Sequence, residues 1–411
     1  MNQGVIKREL DGGAFSCQSP SSPRASRTLV YIAFALYCMA NAITVIAFKD
    51  DAAKAAVVLA LQVMSLVMFC LSFFLDADRI RNVFKITMLL IVGVMSFYAT
   101  RSIDIVWIFA LAICGYDIDL RAMAKIVLAT SVFAIALALL FYFFGALSVF
   151  SLVKTTGYLQ SSYGFTHPNQ FGKLLFLVVF CVLFIKDGNL SVSNIVACLL
   201  ISIAIYYVTL SRTAFLSSIA AIVIIGLSQH RRSSKTCLLL MRCIVAASVI
   251  SSVGFMLFLD RGIQWEFRLD ELLSNRLYWD NYYYLTYGIN FFGHDVSTFS
   301  TLSFSTTDTQ FLVDNSFVYL IIKLGLVPFA IIMAFIASLL IYAGRDRRFA
   351  EILPFFAVFC IVGCFERYFV QIDANFLIAL YSSVLYSSTL SNSKSERLEC
   401  RCDSPTMGWM R

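Results

Sequence analysis

Charged side chains are scarce in this sequence. Only 14% of its 411 residues are Asp, Glu, Lys or Arg, and it has three His and six Pro, whereas 60% are hydrophobic and the mean hydropathy is +0.80. About a quarter of an ordinary soluble domain is charged, because the surface of a soluble fold needs polar cover. The composition excludes a soluble domain and indicates a chain solvated by lipid. Its apolar runs recur from end to end without an internal repeat, so we expect one polytopic domain.

Other features are also missing. The longest polar stretch, residues 260–312, contains no Cys, so the sequence predicts no disulfide framework. Residues 1–27 are polar and basic and are not a cleavable signal peptide. The net charge of +7 is accounted for by basic residues on cytoplasmic loops, so no nucleic-acid partner is expected.

Twelve apolar runs approach the length of about 20 residues that a bilayer-spanning helix needs. They are residues 28–48, 55–75, 84–100, 102–116, 122–147, 171–186, 191–210, 213–229, 238–259, 315–343, 349–369 and 374–390. The fold class is therefore all-α, a polytopic integral membrane protein of about twelve transmembrane helices. The expected organisation is a cytoplasmic N-terminal tail (1–27), one transmembrane catalytic domain (28–390) and a cytoplasmic C-terminal tail (391–411).

Basic residues support this sidedness. With both termini cytoplasmic, 21 of the 32 Lys and Arg residues fall on the inner side, and every short inner loop carries one. Two outer loops then stand out, 148–170 and 260–312. The second, between helices nine and ten, is long and rich in Trp and Tyr, which argues against disorder. We expect it to fold back on the outer membrane face with short helices at 266–288, so the chemistry is expected outside the cytoplasm.

Two arginines are the leading catalytic candidates. Arg212 lies in a very short outer turn between two apolar runs, and Arg276 lies beside Trp279 in the large loop. A guanidinium group binds two phosphate oxygens at once, and an aromatic face stacks on a sugar ring. The alternatives are an arginine that reaches for lipid phosphates and aromatic residues that form an interfacial belt.

A turn precedes the sixth run. In residues 163–172, Gly, Pro and Asn dictate a defined turn, and Pro168 leads into the start of a helix. Asn169 is a candidate to cap that helix or to bind a sugar hydroxyl, and His167 is a candidate acid or base. An architectural role for this turn is the stronger interpretation.

The remaining candidates lie downstream. His294 has a pKa range suited to a general base and is the leading candidate by elimination, since His230 is cytoplasmic. Asp314 and Asn315 begin the tenth run, and Glu366 and Arg367 end the eleventh. Asp314 or Glu366 is the alternative base, and pairing of Glu366 with a nearby Arg is its structural alternative.

The order of these motifs resembles a known family. The chain carries, in succession, GFTHPNQFG (164–172), SRTAF (211–215), NRLYW (275–279), Gly293, DNSF (314–317) and Gly325. This succession is similar to that of the O-antigen polymerase and O-antigen ligase superfamily, and most similar to the Wzy-type polymerases of capsular and exopolysaccharide repeat units. The ligase branch commonly has His where this chain has Asp314, which favours a polymerase. His294 replaces the second glycine of the family pattern.

The resemblance implies a GT-C-like, inverting, metal-independent glycosyltransferase in the bacterial inner membrane, with no cofactor. Its substrate would be an oligosaccharide linked to undecaprenyl pyrophosphate, and its partners would include a flippase and a chain-length regulator. Arg212 and Arg276 would contact the pyrophosphate and stabilise the charge that develops on it. The residues expected to bind substrate are His167, Asn169, Trp279, Asp314, Asn315, Glu366 and Arg367.

Three alternatives remain open. A metal-dependent glycosyltransferase would use paired acids in the first outer loop, where Asp50 and Asp51 lie; the pairs Asp76/Asp78 and Asp117/Asp119 fall on the cytoplasmic side. A ligase would keep the donor and change the acceptor. A lipid-linked sugar transporter belongs to a different class, but the internal symmetry usual for alternating access is absent from this sequence.

Overall fold

A computed structural model describes residues 24–80, 82–147, 151–153, 159–187, 190–229, 234–260, 262–296 and 313–386. Residues 1–23 of the expected N-terminal tail, the whole expected C-terminal tail and residues 297–312 of the larger outer loop lie outside these ranges. The expectations for those segments stay predictions.

The described part of the chain is almost entirely helical, as expected. In chain order its α-helices are α1 (Arg24–Thr44), α2 (Asp51–Phe74), α3 (Ala77–Ile80), α4 (Val83–Thr100), α5 (Asp104–Cys114), α6 (Leu120–Phe143), α7 (Pro168–Ile185), α8 (Val192–Thr209), α9 (Arg212–Ser228), α10 (Lys235–Phe258), α11 (Gln264–Leu272), α12 (Arg276–Tyr287), α13 (Ser316–Tyr319), α14 (Leu326–Ala343), α15 (Arg347–Gly363) and α16 (Tyr381–Leu385). One antiparallel pair of short strands, β1 (Ser151–Val153) and β2 (Leu159–Ser161), lies between α6 and α7.

Eight of the described helices are long and apolar enough to cross a membrane, namely α1, α2, α4, α6, α7, α8, α10 and α14. Large aliphatic side chains are exposed along several of them, for example Leu59 on α2, Val94 on α4 and Leu200 on α8. Exposure of so many apolar side chains is unfavourable in water, whereas it is favourable in contact with lipid. The protein is therefore a polytopic membrane protein. The other four apolar runs form the shorter helices α5, α9, α15 and a segment from Phe376 to Leu385.

Helix α7 lies at the centre of the bundle, since twelve of its eighteen residues are buried. Its Phe176, Phe180 and Phe184 face α15, with 4.5 Å between the ring centroids of Phe180 and Phe359 and 4.7 Å between those of Phe184 and Phe355. Such aromatic pairs add packing energy beyond the area they bury. They fix α7 against α15 and so position the loops that follow both helices.

The tenth apolar run is not one continuous helix. Helix α13 continues into a π-helical turn at Leu320–Leu324. The helix is then interrupted at Gly325, where φ is +107°, and α14 begins at the next residue. Only glycine adopts such a φ without strain. Hydropathy predicts the apolar character of this run but not its interruption.

Basic side chains hold helix ends together at one end of the bundle. Arg79 donates to the Cys114 carbonyl at the end of α5 (3.0 Å), Lys85 to the Leu385 carbonyl at the end of α16 (2.9 Å), and Arg242 to the Leu340 carbonyl near the end of α14 (2.8 Å). The last carbonyls of a helix lack intrahelical partners and carry partial negative charge, so cations suit them. We name this the Arg79 end.

Several helices run from the Arg79 end to an opposite end, named the Arg276 end for the first residue of α12. Helix α10 carries Arg242 near its start, and its Met256 carbonyl near the other terminus accepts a hydrogen bond from Asn281 of α12. Helix α4 carries Lys85 at one terminus, while Ser96 near the other donates to the Leu324 carbonyl. The loops at the Arg276 end hold most of the residues singled out from the sequence.

Candidate functional site

Arg276 joins two carboxylates that are distant in sequence. Its Nη2 donates to Oε1 of Glu366 at 2.9 Å and lies 3.4 Å from Oδ2 of Asp314. Burial by itself lowers the pKa of Arg276, but these two carboxylates more than offset that effect and raise it. Arg276 therefore stays charged, and it holds α12 against the segments that follow α15 and precede α13.

Two hydroxyl groups complete this arrangement. Thr213 Oγ1 donates to the same Glu366 oxygen at 2.8 Å, and Ser316 Oγ donates to the Glu366 backbone carbonyl at 2.7 Å. We call these five residues, Thr213, Arg276, Asp314, Ser316 and Glu366, the Arg276 cluster. The sequence reasoning missed Thr213 and Ser316. The available signal was that each hydroxyl lies directly beside a residue already singled out, Arg212 or Asn315.

Arg212 is the first residue of α9 and is exposed. Because Thr213 belongs to the cluster, Arg212 lies one residue from it along the chain. The N-terminal ends of α9, α12 and α13 are thus brought together through Glu366, by Thr213, Arg276 and Ser316. Helix N-termini present unpaired N–H groups and partial positive charge, a combination that suits an anion.

The turn before α7 lies beside α9. A Cβ atom on Gly172 would come within 3.1 Å of Ser211 Cβ and 3.0 Å of Ala214 Cβ, so a side chain there would require the start of α9 to shift. His167 caps α7, since its Nδ1 accepts the N–H of Asn169 at 3.0 Å. The cap is therefore His167 and not Asn169, and the architectural interpretation of this turn is supported. Contact of either residue with a substrate stays a prediction.

Residues with left-handed backbone precede three of the motifs. Tyr163 (φ 49°), Leu210 (φ 49°) and Asn275 (φ 60°) stand before the GFTHPNQFG segment, α9 and α12 respectively. A bulky residue such as Leu at positive φ is a strained outlier. Such strain persists only where the surroundings enforce it, and it concentrates at functional sites.

Arg367 follows the cluster residue Glu366 and stacks on an aromatic ring. Its guanidinium carbon lies 5.6 Å from the centre of the Tyr319 ring. The Tyr319 hydroxyl in turn donates to Oδ2 of Asp104 at 2.5 Å. Asp104 begins the short helix α5, so this helix also reaches the site.

Aromatic side chains line α12 beside Arg276. Trp279 is partly exposed, with its ring 5.3 Å from that of Tyr278 and 5.8 Å from that of Tyr282. The structure places α11 and α12 over residues 264–287, as the expected short helices at 266–288 required. A partly exposed aromatic surface beside a cation suits a sugar phosphate.

Asp280 is a buried carboxylate one helical turn after Arg276. Asn315 hydrogen-bonds it and also caps α13, accepting the N–H of Phe317 at 3.0 Å. Among the described residues, Asp280 Oδ2 has no hydrogen-bond partner. Burial raises the pKa of Asp280 well above its usual range, while the bond from Asn315 and the charge of Arg276 oppose this effect only in part. The sequence reasoning did not single out Asp280.

His294 lies against the π-helical turn. Its backbone N–H donates to the Lys323 backbone carbonyl at 3.2 Å, and the centre of its imidazole ring is 6.1 Å from that of the Tyr287 ring. Its buried Nε2 has no hydrogen-bond partner within the described part of the chain. None of its described contacts is with the Arg276 cluster, so the structure does not bring His294 together with the other candidates.

The acidic pairs of the metal-dependent alternative have structural partners. Asp50 caps α2 by accepting the N–H of Ala53 at 2.9 Å, and Asp51 lies 3.4 Å from Lys54. Asp119 caps α6, and Asp117 pairs with Arg27 at 3.5 Å. In the ranges that the structure describes, no group of three or more His, Cys, Asp and Glu side chains is arranged to hold a metal ion.

Comparisons of the chain with protein-family models, with curated proteins and with solved structures found no match.

Proposed function

We propose that this protein polymerises lipid-linked oligosaccharide repeat units at the outer face of a bacterial plasma membrane. It would do so for a capsular polysaccharide, an exopolysaccharide or an O-antigen. The observation that carries the proposal is the Arg276 cluster, in which residues of three motifs, SRTAF, NRLYW and DNSF, meet Glu366 at one end of the bundle. Arg212 and Arg367 flank it and add two cations.

The proposal includes a GT-C-like arrangement of twelve membrane traversals with both termini cytoplasmic. Four traversals are then made by shorter segments, α5, α9, α15 and Phe376–Leu385. Of these, α9 and α15 have 17 residues each and α5 has only 11. Helix α5 supports this count, since Asp104 at its start bonds Tyr319 at the Arg276 end and its Cys114 carbonyl bonds Arg79. The basic residues of the Arg79 end fit the cytoplasmic side.

The proposed reaction displaces a diphosphate. An acceptor sugar hydroxyl attacks the anomeric carbon of the donor glycan, and the bond from that carbon to the pyrophosphate oxygen breaks. Its electron pair leaves with undecaprenyl pyrophosphate, the hydroxyl proton passes to a base, and the anomeric centre inverts. Arg212 and Arg276 lower the barrier by stabilising the charge on the leaving group more in the transition state than in the ground state.

The cluster supplies two candidate bases in addition to His294, which lies elsewhere. Glu366 is only 9% exposed, and its Oε1 already accepts two hydrogen bonds. Asp314 is 23% exposed and lies at the longer distance of 3.4 Å from Arg276. A base must reach the proton that it removes, so Asp314 is favoured over Glu366. The enclosed Nε2 of His294 makes it the weaker candidate.

A ligase would use the same donor and a different acceptor, such as a lipid A core or a protein. Residue 314 is the feature that favours the polymerase, since the similar ligases commonly have His there. A transporter of lipid-linked sugars is disfavoured, because the ionised groups of the cluster gather at one end of the bundle and not around a central site.

The decisive experiment uses the purified full-length protein in lipid nanodiscs with a donor linked to undecaprenyl pyrophosphate. Wild type is expected to produce a ladder of polymer in the presence of EDTA. Arg212→Ala and Arg276→Ala are each expected to lower the rate about a hundredfold or more, since each removes a charge that stabilises the leaving group. Arg268→Ala is the matched control, because Arg268 is an exposed arginine of the same outer segment.

Full-length polymer from Arg212→Ala or Arg276→Ala would remove that residue from the mechanism. Loss of activity in EDTA that Mg²⁺ restores would favour the metal-dependent alternative. Movement of an intact lipid-linked donor across the bilayer without any glycosidic bond formation would replace the proposal by transport.

A further inference from the structure

The arginines of the site differ in how far their charge is already neutralised. Arg276 has Glu366 at 2.9 Å and Asp314 at 3.4 Å. In the described part of the chain, Arg367 lies over the face of Tyr319 and has no carboxylate within ion-pair distance, so Asp314, Asp104 and Glu366 act on its charge only from farther away. The two neighbouring guanidinium groups are therefore not equivalent toward an incoming anion.

The balance of charge decides which of them attracts a diphosphate. One arginine and two carboxylates, Arg276 with Glu366 and Asp314, carry a net charge of minus one when all are ionised. Such a group repels an anion at short range. Arg367 restores the neutrality of this group, and the exposed Arg212 adds one positive charge, which balances the carboxylate of Asp104. One nitrogen of Arg276, Nη1, is buried and has no hydrogen-bond partner among the described residues.

Arg367 is held in place by a short chain of contacts. Its guanidinium lies over the Tyr319 ring, and the Tyr319 hydroxyl donates to Asp104. Ser102 Oγ is also 3.2 Å from the same Asp104 oxygen. Asp104 is thus occupied by hydroxyl groups, and it fixes the ring without forming an ion pair with the arginine. A stacked guanidinium keeps its N–H edge free for the paired oxygens of a phosphate.

We infer that Arg367 is the main binding group for the diphosphate leaving group, and that Tyr319 and Asp104 are positioning residues that hold it. In this arrangement Arg276 organises the two carboxylates and α12 in the ground state, and its role toward the diphosphate is the stabilisation of the leaving-group charge in the transition state. The inference rests on the proposed function and assigns the tasks of the arginines within it.

The test measures binding and turnover separately. The probe is undecaprenyl pyrophosphate, titrated into nanodiscs of phosphatidylethanolamine and phosphatidylglycerol that contain the full-length protein. Arg367→Gln is expected to weaken binding about tenfold to a hundredfold, the value of a charge-assisted bidentate contact. Arg367→Lys keeps the charge but loses the paired N–H groups, so it is expected to recover part of the affinity. Inorganic pyrophosphate, used as a competitor, is expected to lose inhibitory potency in the same order.

The positioning role has its own variants. Tyr319→Phe keeps the ring and removes the bond to Asp104, and Asp104→Asn keeps the shape and removes the charge. Both are expected to lower kcat several-fold with a smaller change in KM, because a misoriented guanidinium still attracts the donor but supports the transition state less well. The matched control is Arg101→Gln, since Arg101 also stacks on a tyrosine ring, that of Tyr98 at 5.1 Å. It is expected to bind and turn over as wild type does.

The possible outcomes are distinct. If wild type binds and transfers but Arg367→Gln keeps its affinity within about twofold, the assignment to Arg367 is wrong and the proposed function stands. If Arg367→Gln does not fold, the test uses Arg367→Lys instead. Wild-type affinity of Arg367→Lys for undecaprenyl pyrophosphate, together with wild-type inhibition by inorganic pyrophosphate, would overturn the inference. If wild type binds no diphosphate lipid and transfers no glycan, the proposed function fails and the inference falls with it.

Discussion

Gly293 and Gly325 are in direct backbone contact where residues 262–296 meet the start of α14. Both have left-handed backbone, with φ of +86° and +107°. A Cβ atom on Gly293 would overlap the Lys323 carbonyl, and one on Gly325 would overlap the backbone nitrogen of Gly293. Two backbone bonds flank this contact, from the Leu326 N–H to the Asn290 carbonyl (2.8 Å) and from the Val327 N–H to the Phe291 carbonyl (3.0 Å). Two glycines that are separate motifs in the sequence thus form one backbone contact, which we call the glycine joint.

Substitution at this joint should undock the segment that carries α12. Gly293→Ala adds left-handed strain and a steric overlap, which together should cost about 3 kcal/mol or more. Thermal denaturation in detergent and limited proteolysis of residues 262–296 would measure the effect. Gly288→Ala is the matched control, because Gly288 also has positive φ but has open space around it. Equal stability losses for the two variants would show that backbone strain alone, and not the close approach, limits this position.

The ion pair of Arg276 and Glu366 should show strong coupling in a double-mutant cycle. Removing Arg276 leaves the mostly buried Glu366 without its cation, so Arg276→Ala should cost about 3–5 kcal/mol of unfolding free energy. Glu366→Ala should cost less, because Arg276 keeps Asp314 at 3.4 Å. The double variant should cost much less than the sum of the two. Denaturant unfolding in mixed micelles would give the coupling energy without any activity assay.

The exposed pair of Arg348 and Asp346 provides the control cycle, since its two side chains are 52% and 31% exposed. Its coupling energy should stay below about 1 kcal/mol. Additive losses at Arg276 and Glu366 would mean that the contact does not hold the site together.

The sequence was sufficient to predict the helical fold but not its interruptions. Hydropathy located every long helix, because lipid requires continuous apolar faces. The aromatic content of residues 260–312 indicated the two short helices, since it argued against disorder. It did not predict that residues 315–343 break at Gly325, since the flanking residues are apolar whether or not the helix continues.

The site was predictable as a set of residues but not as a geometry. Arg276 and Glu366 were both singled out, yet their contact spans 90 positions and depends on how α12 and α15 both pack against α10. Thr213 and Asp280 were missed because a hydroxyl and a carboxyl become informative only once their burial and partners are known. His294 was singled out because the chain has few histidines, and rarity says nothing about placement.

Asp280 should make stability depend on pH in a defined direction. Burial raises the pKa of Asp280 in the folded protein, so the folded state binds a proton more tightly than the unfolded state does. Its stabilising contribution is complete below the ordinary Asp pKa of about 3.9 and is lost as the pH rises toward the folded-state value. Asp280→Asn cannot ionise, so it should unfold at a higher temperature than wild type at pH 7 to 8, with the difference shrinking toward pH 4.

Asp270 provides the matched control for this prediction. It is also a buried carboxylate of residues 262–296, and it accepts the Tyr278 N–H at 3.0 Å. A gain of the same size and the same pH dependence in Asp270→Asn would show that the effect is not particular to Asp280. An Asp280→Asn variant that tracks wild type over the whole pH range would mean that Asp280 is ionised in the folded protein.

The proposed twelve traversals depend most on α5. Eleven residues extend only about 16 Å at 1.5 Å per residue, roughly half of the 30 Å apolar core of a bilayer. Epitopes inserted singly into the full-length chain after residues 102, 116, 229 and 290 would locate the connecting segments by antibody access in intact and permeabilised spheroplasts. We expect residues 102 and 290 to be reached from outside and residues 116 and 229 only after permeabilisation, because the basic residues of the Arg79 end retain that end in the cytoplasm. Access to residues 102 and 116 from the same side would make α5 re-entrant and would exclude the twelfth traversal. Because Ser102 and Asp104 contact Tyr319 at the Arg276 end, access to residues 102 and 290 only after permeabilisation would place the Arg276 cluster on the cytoplasmic face, where a polymerase of exported repeat units has no donor.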